Sequence, residues 1–334
     1  MAVASTERRF DLLIRAEALP EPEKEWLIIL RRFARHRLAV ASAIGLIIVL
    51  TVSFFARSIA PYTATELEIG NAFATPLSST EAGRTHWLGT DHLGRDYFSR
   101  IIFAGRITLT VAFASVLGSS IVGVLVGAVS GYFGKWVDEI LMRFVEFLLT
   151  VPTLPILLIL SSILIQSPEL IPVPEFVING LSAAMYIAPR EARQVVMVII
   201  VLMSFGWLTT ARLMRGMVLS LREMEFTEAS RALGASSLRI IVRHMIPNAM
   251  APIIVDASLA LAGYVITEAA LSFLGFGIQD PTPTWGNMLS FTQSYMFQHP
   301  WLPLIPGLPI FFCALMFNFV GDGLRDALDP RLKR

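Results

Sequence analysis

Six stretches of this chain are long and apolar enough to cross a lipid bilayer, and no other feature constrains its fold as strongly. A crossing takes about 20 predominantly apolar residues, because roughly 30 Å of hydrocarbon is covered at about 1.5 Å per helical residue. The candidate spans run from Leu38 to Ala56, Ile107 to Phe133, Ile140 to Ile165, Val195 to Ala211, Met250 to Leu274 and Leu302 to Val320. Composition agrees with them. Of the 334 residues, 54% are hydrophobic and 16% charged, against about 25% charged in soluble domains, and mean hydropathy is +0.64. The expected fold is all-α, a polytopic membrane protein of about six transmembrane helices.

Charge sets the orientation. Alternating the connections puts residues 1–37, 134–139, 212–249 and 325–334 on one side and 57–106, 166–194 and 275–301 on the other. Of the 27 Lys and Arg residues, nineteen fall in the first set and seven in the second, while Arg143 lies within the third apolar segment. Positive charge near spans is retained inside, so both termini are expected in the cytoplasm. The organisation expected is a cytoplasmic segment 1–37, a first transmembrane helix 38–56, an extracytoplasmic loop 57–106, a five-helix core 107–324 with a cytoplasmic loop 212–249, and a cytoplasmic tail 325–334. Acidic and basic residues are mixed through ERRFDLLIRAEALPEPEKEW, and no small-residue cleavage site follows the first apolar run. That run therefore reads as a retained span, not a cleaved signal. A formal net charge of +1 gives no global field directed at nucleic acid or an acidic substrate. The single cysteine, Cys313, sits in an apolar run, excludes an internal disulfide and suits small core packing.

Glycine and proline fall where a bundle would use them. Gly118, Gly123, Gly127 and Gly131 recur along the second span, and small residues at such spacing let helix backbones approach closely. Packing is the favoured reading, a mobile gate contact the other. Pro152 and Pro155 interrupt the third span, where a missing N–H and a ring clash predict a kink; such a kink shapes a pore or merely a bundle. Glu146, Asp256 and Glu268 fall in or beside spans, where an ionised carboxylate is costly unless paired or wet. Spacing predicts that Glu139, Arg143 and Glu146 share one helix face as an ion-pair group. Glu268 has no local partner; a structural hydrogen bond is favoured over a place on a transport pathway or gate. The GTDHLGRD run, 89–96, reads as a folded lead-in to the second span with its charges satisfied locally. His86 and His92 lack a third ligand, so no metal is assigned.

The segment MRGMVLSLREMEFTEASRALGASSLRIIVRHMIPNAM, residues 214–250, reads as two short helices around a glycine. Glu225 or Thr227 starts the first, Gly234 ends it in the left-handed conformation, Ser236 or Ser237 caps the next, and Pro247 ends that one. A short, small-faced elbow of this kind fits a groove on another protein. The competing reading is a solvated loop whose arginines only obey the inside rule.

The stretch EASRALGASSLRIIVRHMIPN, 228–248, resembles the Glu-Ala-Ala loop of permease subunits in binding-protein-dependent ABC importers. The resemblance implies that Glu228, Ala229, Ser230, Arg231, Ala232, Leu233, Gly234 and Ala235 form an ATPase-coupling helix. Glu228 and Ala229 match its opening, Gly234 its turn and Pro247 its ending; Ser230 replaces the usual second alanine. HWLGTDHLGRDYFSRIIFAGRITL (86–109), EAALSFLGFGIQDPTPTWGNML (268–289) and NFVGDGLRDALDPRLKR (318–334) are similar to the C-type permease of dipeptide, oligopeptide and nickel importers. Residues 166–194 depart from that pattern by their length. The resemblance implies a type I importer permease fold in a bacterial or archaeal cytoplasmic membrane. It also implies a second homologous permease subunit, two ATPase subunits that hold the ATP and Mg2+, and an extracytoplasmic substrate-binding protein. Di- or oligopeptides are the implied cargo, with nickel chelates or oligosaccharides as alternatives. Pro152, Pro155 and Glu268 are the candidate pathway or gate residues.

The chain itself lacks a G-x-x-x-x-G-K-[ST] loop, so ATP binding of that kind must come from another chain. A secondary transporter would show internal repeats and central coupling carboxylates, and a membrane enzyme a nucleophile–base or metal constellation. The sequence displays none of these.

Overall fold

A computed structural model of the chain describes residues 24–79 and 83–329; the outer parts of the two expected cytoplasmic termini, 1–23 and 330–334, lie outside the described residues. Helix α1 (Glu25–Arg35) is followed after one residue by α2 (Arg37–Phe54). A long connection carries the two-residue antiparallel strands β1 (Ser78–Ser79) and β2 (Thr85–His86). Then come α3 (Tyr97–Phe133), α4 (Lys135–Thr150), α5 (Thr153–Gln166), α6 (Glu175–Met185), α7 (Pro189–Arg222) and α8 (Glu225–Ala232). The chain closes with α9 (Ser237–Phe273), α10 (Trp285–Thr292) and α11 (Leu304–Leu328). Five of these helices are long and apolar enough to cross a membrane, or six if the bent pair α4–α5 counts as one span.

Four spans differ from the sequence expectation: the fourth, expected over Val195–Ala211, runs from Pro189 to Arg222 and takes up the first part of the expected 212–249 loop, and the other three differ for local reasons. Helix α3 starts at Tyr97 and not near Ile107, because Asp96 caps it by accepting from the Ser99 N–H at 2.7 Å and the polar first turns are buried in protein, not lipid. The third apolar segment is two helices meeting at 92°. Pro152 stands at the break, whereas Pro155 falls in the first turn of α5, where the lost N–H would be unpaired anyway, and bends nothing. Pro247 was expected to end a helix, yet α9 runs through it. A π-turn at Ile241–Met245 immediately precedes it, and the wider turn accommodates a residue without an N–H. The long 166–194 connection contains a helix of its own, α6. Arg143 pairs with Glu139 at 3.2 Å on an exposed face; the Glu146 carboxylate lies instead in the field of Arg215.

The pairing of α3 with α7 is the most extensive in the fold. A Cβ at Gly123 would stand 2.7 Å from the Thr210 Cβ and 2.8 Å from the Trp207 carbonyl oxygen; one at Gly131 would stand 2.9 Å from that of Arg215. The glycine row is thus a close helix contact, with backbone against backbone. Helix α9 packs on α11 and α3, and α11 on α2. Leu46, Leu109, Val265, Trp285, Cys313 and Phe317 meet in the main core cluster.

Candidate functional site: the elbow and its supports

Helix α8 projects between α7 and α9. Its first turn carries Glu225 and Glu228, favourable beside the positive end of the helix dipole. Thr227 is fully buried and donates to the Leu221 carbonyl at 2.8 Å, which ties α8 to the end of α7. The closure is a Schellman motif: Gly234 has φ +79, its N–H donates to Arg231 O at 2.9 Å, and the Ala235 N–H donates to Ser230 O at 3.1 Å. The Ser236 hydroxyl then accepts from the Arg239 N–H at 3.4 Å to start α9. This is the helix–glycine–helix pattern of the sequence, with Met224 at the N-cap.

Of the eight elbow residues, Glu228, Ala229, Arg231, Ala232, Leu233 and Gly234 are exposed, and Ser230 and Ala235 are half-buried. Leu233 is 89% exposed and Leu238 72%. Arg231 bridges back into the bundle, its guanidinium 5.3 Å from the centre of the Tyr132 ring near the end of α3, a cation–π contact. Beside it Asp138, in the first turn of α4, accepts from Arg215 Nε at 2.5 Å and Nη2 at 2.6 Å and from the Ser130 hydroxyl at 2.5 Å. Sequence reasoning missed this pair. The signal present was an acidic residue at a helix start facing an arginine in an apolar helix, but only the fold shows that they meet.

Pro152 and Pro155 are exposed at the α4–α5 break. Leu149, Thr153 and Leu154 beside them, with Thr209, Gly263 and Tyr264, line a cavity of about 400 Å³. Glu268 is elsewhere. It is completely buried in α9, its Oε1 accepts from the Ser272 hydroxyl at 2.7 Å, and the hydroxyls of Thr108 and Thr284 surround it. Its surroundings are helix packing.

At the far end of α3 a capping layer binds loop to bundle. Arg95 donates to Asp91 at 2.6 Å and to both carboxylate oxygens of Asp280 at 2.8 and 2.9 Å; Arg100, 1% exposed, adds a 3.0 Å bond to Asp280. Burial alone would raise the Asp280 pKa, but the two guanidiniums outweigh it and hold the carboxyl below its ordinary value. His86 is clasped between Asp96 at 2.8 Å and Glu68 at 2.6 Å. The charges of GTDHLGRD are satisfied as expected, except that one partner comes from 185 residues away. Among the described residues no group of three or more His, Cys, Asp or Glu side chains is placed to hold a metal ion.

The architecture is a predominantly helical bundle with five or six helices long and apolar enough to cross a membrane and one projecting helical elbow. Residues 123–334 match the family described as binding-protein-dependent transport system inner membrane component, and residues 25–76 match the N-terminal transmembrane domain of oligopeptide transport permease C. The chain is 34% identical to the dipeptide transport system permease protein DppC of Alkalihalophilus pseudofirmus over 320 residues, covering 94% of each chain. It is 35% identical to the glutathione transport system permease protein GsiD of Pectobacterium atrosepticum, covering 96% of this chain and 95% of the relative. With the oligopeptide transport system permease protein OppC of Mycobacterium tuberculosis it shares 34% identity, over 91% of this chain and 94% of the relative. The chain belongs to the binding-protein-dependent transport system inner membrane component family, as the permease subunit of an ABC importer.

Proposed function

We propose that this chain forms half of the translocation pathway for di- or oligopeptides and that Glu228–Ala235 is its coupling element to an ATPase subunit. The observation that carries this reading is the elbow itself. It is an exposed helix that ends in a rigid Schellman turn and is held to α7 by Thr227 and to α3 through Arg231 and Tyr132. A displacement of α8 by a neighbouring protein is therefore delivered to both members of the largest helix pair. ATP and Mg2+ act on the partner ATPase chains; this chain supplies the passage and performs no bond-making step. A second permease completes the passage, an extracytoplasmic binding protein delivers cargo, and both termini of this chain lie in the cytoplasm. The peptide reading is supported by relatives named for dipeptide, oligopeptide and glutathione transport.

The coupling role is tested by Gly234→Val in the reconstituted complex. A β-branched residue at φ +79 is strained, although no neighbour lies within 4 Å of the site. Transport and cargo-stimulated ATP hydrolysis should both fall while assembly persists; unchanged transport would refute the role. For cargo, mass spectrometry of small molecules co-purified with the complex should return short peptides. Recovery of nickel chelates or oligosaccharides would overturn that part.

A further inference from the structure

Helix α1, EWLIILRRFAR, is divided lengthwise into three kinds of surface. At about 100° per residue, Trp26, Leu27, Leu30 and Ala34 occupy one arc, Arg31 and Arg35 the next, and Ile28, Ile29, Arg32 and Phe33 the remainder. The last flank is packed against the bundle. The Phe33 ring lies over Gly323 of α11, and Arg32 Nη1 donates to the Asp329 carbonyl at 3.1 Å. The first flank is uncovered: Trp26 is 59% exposed, Leu30 56% and Leu27 39%.

His36 joins this helix to the first span. Its backbone is extended (φ −85, ψ 90), and its ring accepts from the Ala39 N–H at 3.1 Å to cap α2. The helix is therefore interrupted for one residue at the head of the first span, so α1 lies just outside the apolar run. Below it, α2 buries Ala39, Ser42 and Leu46 against the bundle and leaves Leu38, Ile44, Ile47 and Ile48 exposed, as a lipid-facing surface would be. The uncovered apolar edge of α1 precedes that span in the chain, separated from it by His36 alone. Lys24, Arg35 and Arg37 are exposed around it.

We propose that α1 is a headgroup-binding helix that lies along the membrane surface, with Trp26, Leu27 and Leu30 in the acyl boundary and Arg35, together with the flanking Lys24 and Arg37, on anionic phospholipid. The occupant follows from charge complementarity and tethering: a basic amphipathic helix held at the membrane plane meets an anionic surface, and tryptophan and arginine are suited to that depth. Through Phe33 and Arg32 the same helix holds the end of α11, whose Arg325, Leu328 and Asp329 border a cavity of about 630 Å³ with Asp256. The proposal uses the membrane location that family membership carries and does not depend on the cargo or the coupling role.

The full chain, in its complex, would be placed in phosphatidylcholine vesicles with and without phosphatidylglycerol. Trp26→Phe isolates the Trp26 fluorescence by difference, and lipids labelled near the headgroup should quench it while aqueous acrylamide should not. Arg35→Gln and Arg37→Gln should lower phosphatidylglycerol retention in native mass spectra about fivefold for each arginine removed. Quenching of Trp26 by acrylamide, or shielding of Trp26 from lipid by a co-purified chain, would overturn the proposal, as would unchanged phosphatidylglycerol retention in the arginine variants.

Discussion

At the Tyr97 end of α3, two nearly inaccessible arginines share the Asp280 carboxylate, a histidine is clasped by two acids, and a cap bonds the first free N–H groups. At the Phe133 end, the elbow offers Leu233, Leu238 and Val242 to the surroundings and is tied to the bundle by the Thr227 bond, the Arg231–Tyr132 contact and the packing of Phe226 and Ala235 on the α7 and α9 core. The capping layer finds its partners inside the chain. The elbow does so only on its inner side, with Phe226 and Ala235, and leaves Leu233 and Leu238 open to the surroundings. One end is closed by its own charges and the other leaves an apolar face open, the division expected if the elbow is where the proposed coupling to a neighbour takes place.

The contrast can be broken from either side. The largest expected effect is at the cap. Arg95→Ala leaves Asp91 and Asp280 short of their shared cation, and removing one member of a buried pair costs about 3 kcal/mol or more; thermal unfolding in detergent should show a marked drop. Next is Gly131→Leu, which forces a side chain into the Arg215 backbone and should cost about 2 kcal/mol by the same assay. Leu233→Ser should move stability by no more than about 0.5 kcal/mol, yet reduce transport in the assembled importer. If Leu233→Ser unfolds the subunit, or Arg95→Ala does not weaken it, the division between the ends fails.

A smaller effect comes from acid. The Asp280 pKa is depressed in the folded chain, so its contribution is present above the unfolded carboxyl value of about 3.9 and is lost as pH falls through the lower folded value. Acid unfolding curves of Asp280→Asn should therefore be flatter below about pH 4 than those of the parent chain. Equal slopes would show that the two arginines do not stabilise that carboxylate.

Much of this was legible in the sequence, because apolar length, glycine spacing and helix caps are local signals. The six apolar segments, the small-residue face of α3 and the turn at Gly234 all follow from neighbours within a few residues. What the sequence did not disclose depends on contacts across the chain. The start of α3 is not legible locally, because Arg100 and Arg106 look like water-facing residues until Asp280 and the carbonyls at the end of α2 are brought to them. Pro152 and Pro155 looked equivalent, and only their positions relative to the helix start separate a break from a harmless first-turn proline. The Asp138–Arg215 pair joins residues 77 apart, which no local spacing would connect.

The elbow's role is tested most directly by photocrosslinking from position 233, with p-benzoylphenylalanine in place of Leu233, in the importer assembled with its ATPase chains. The expected product joins this chain to an ATPase subunit, in a yield that changes when ATP is added. A crosslink only to lipid or to the extracytoplasmic binding protein, with no ATPase adduct in any nucleotide state, would contradict it.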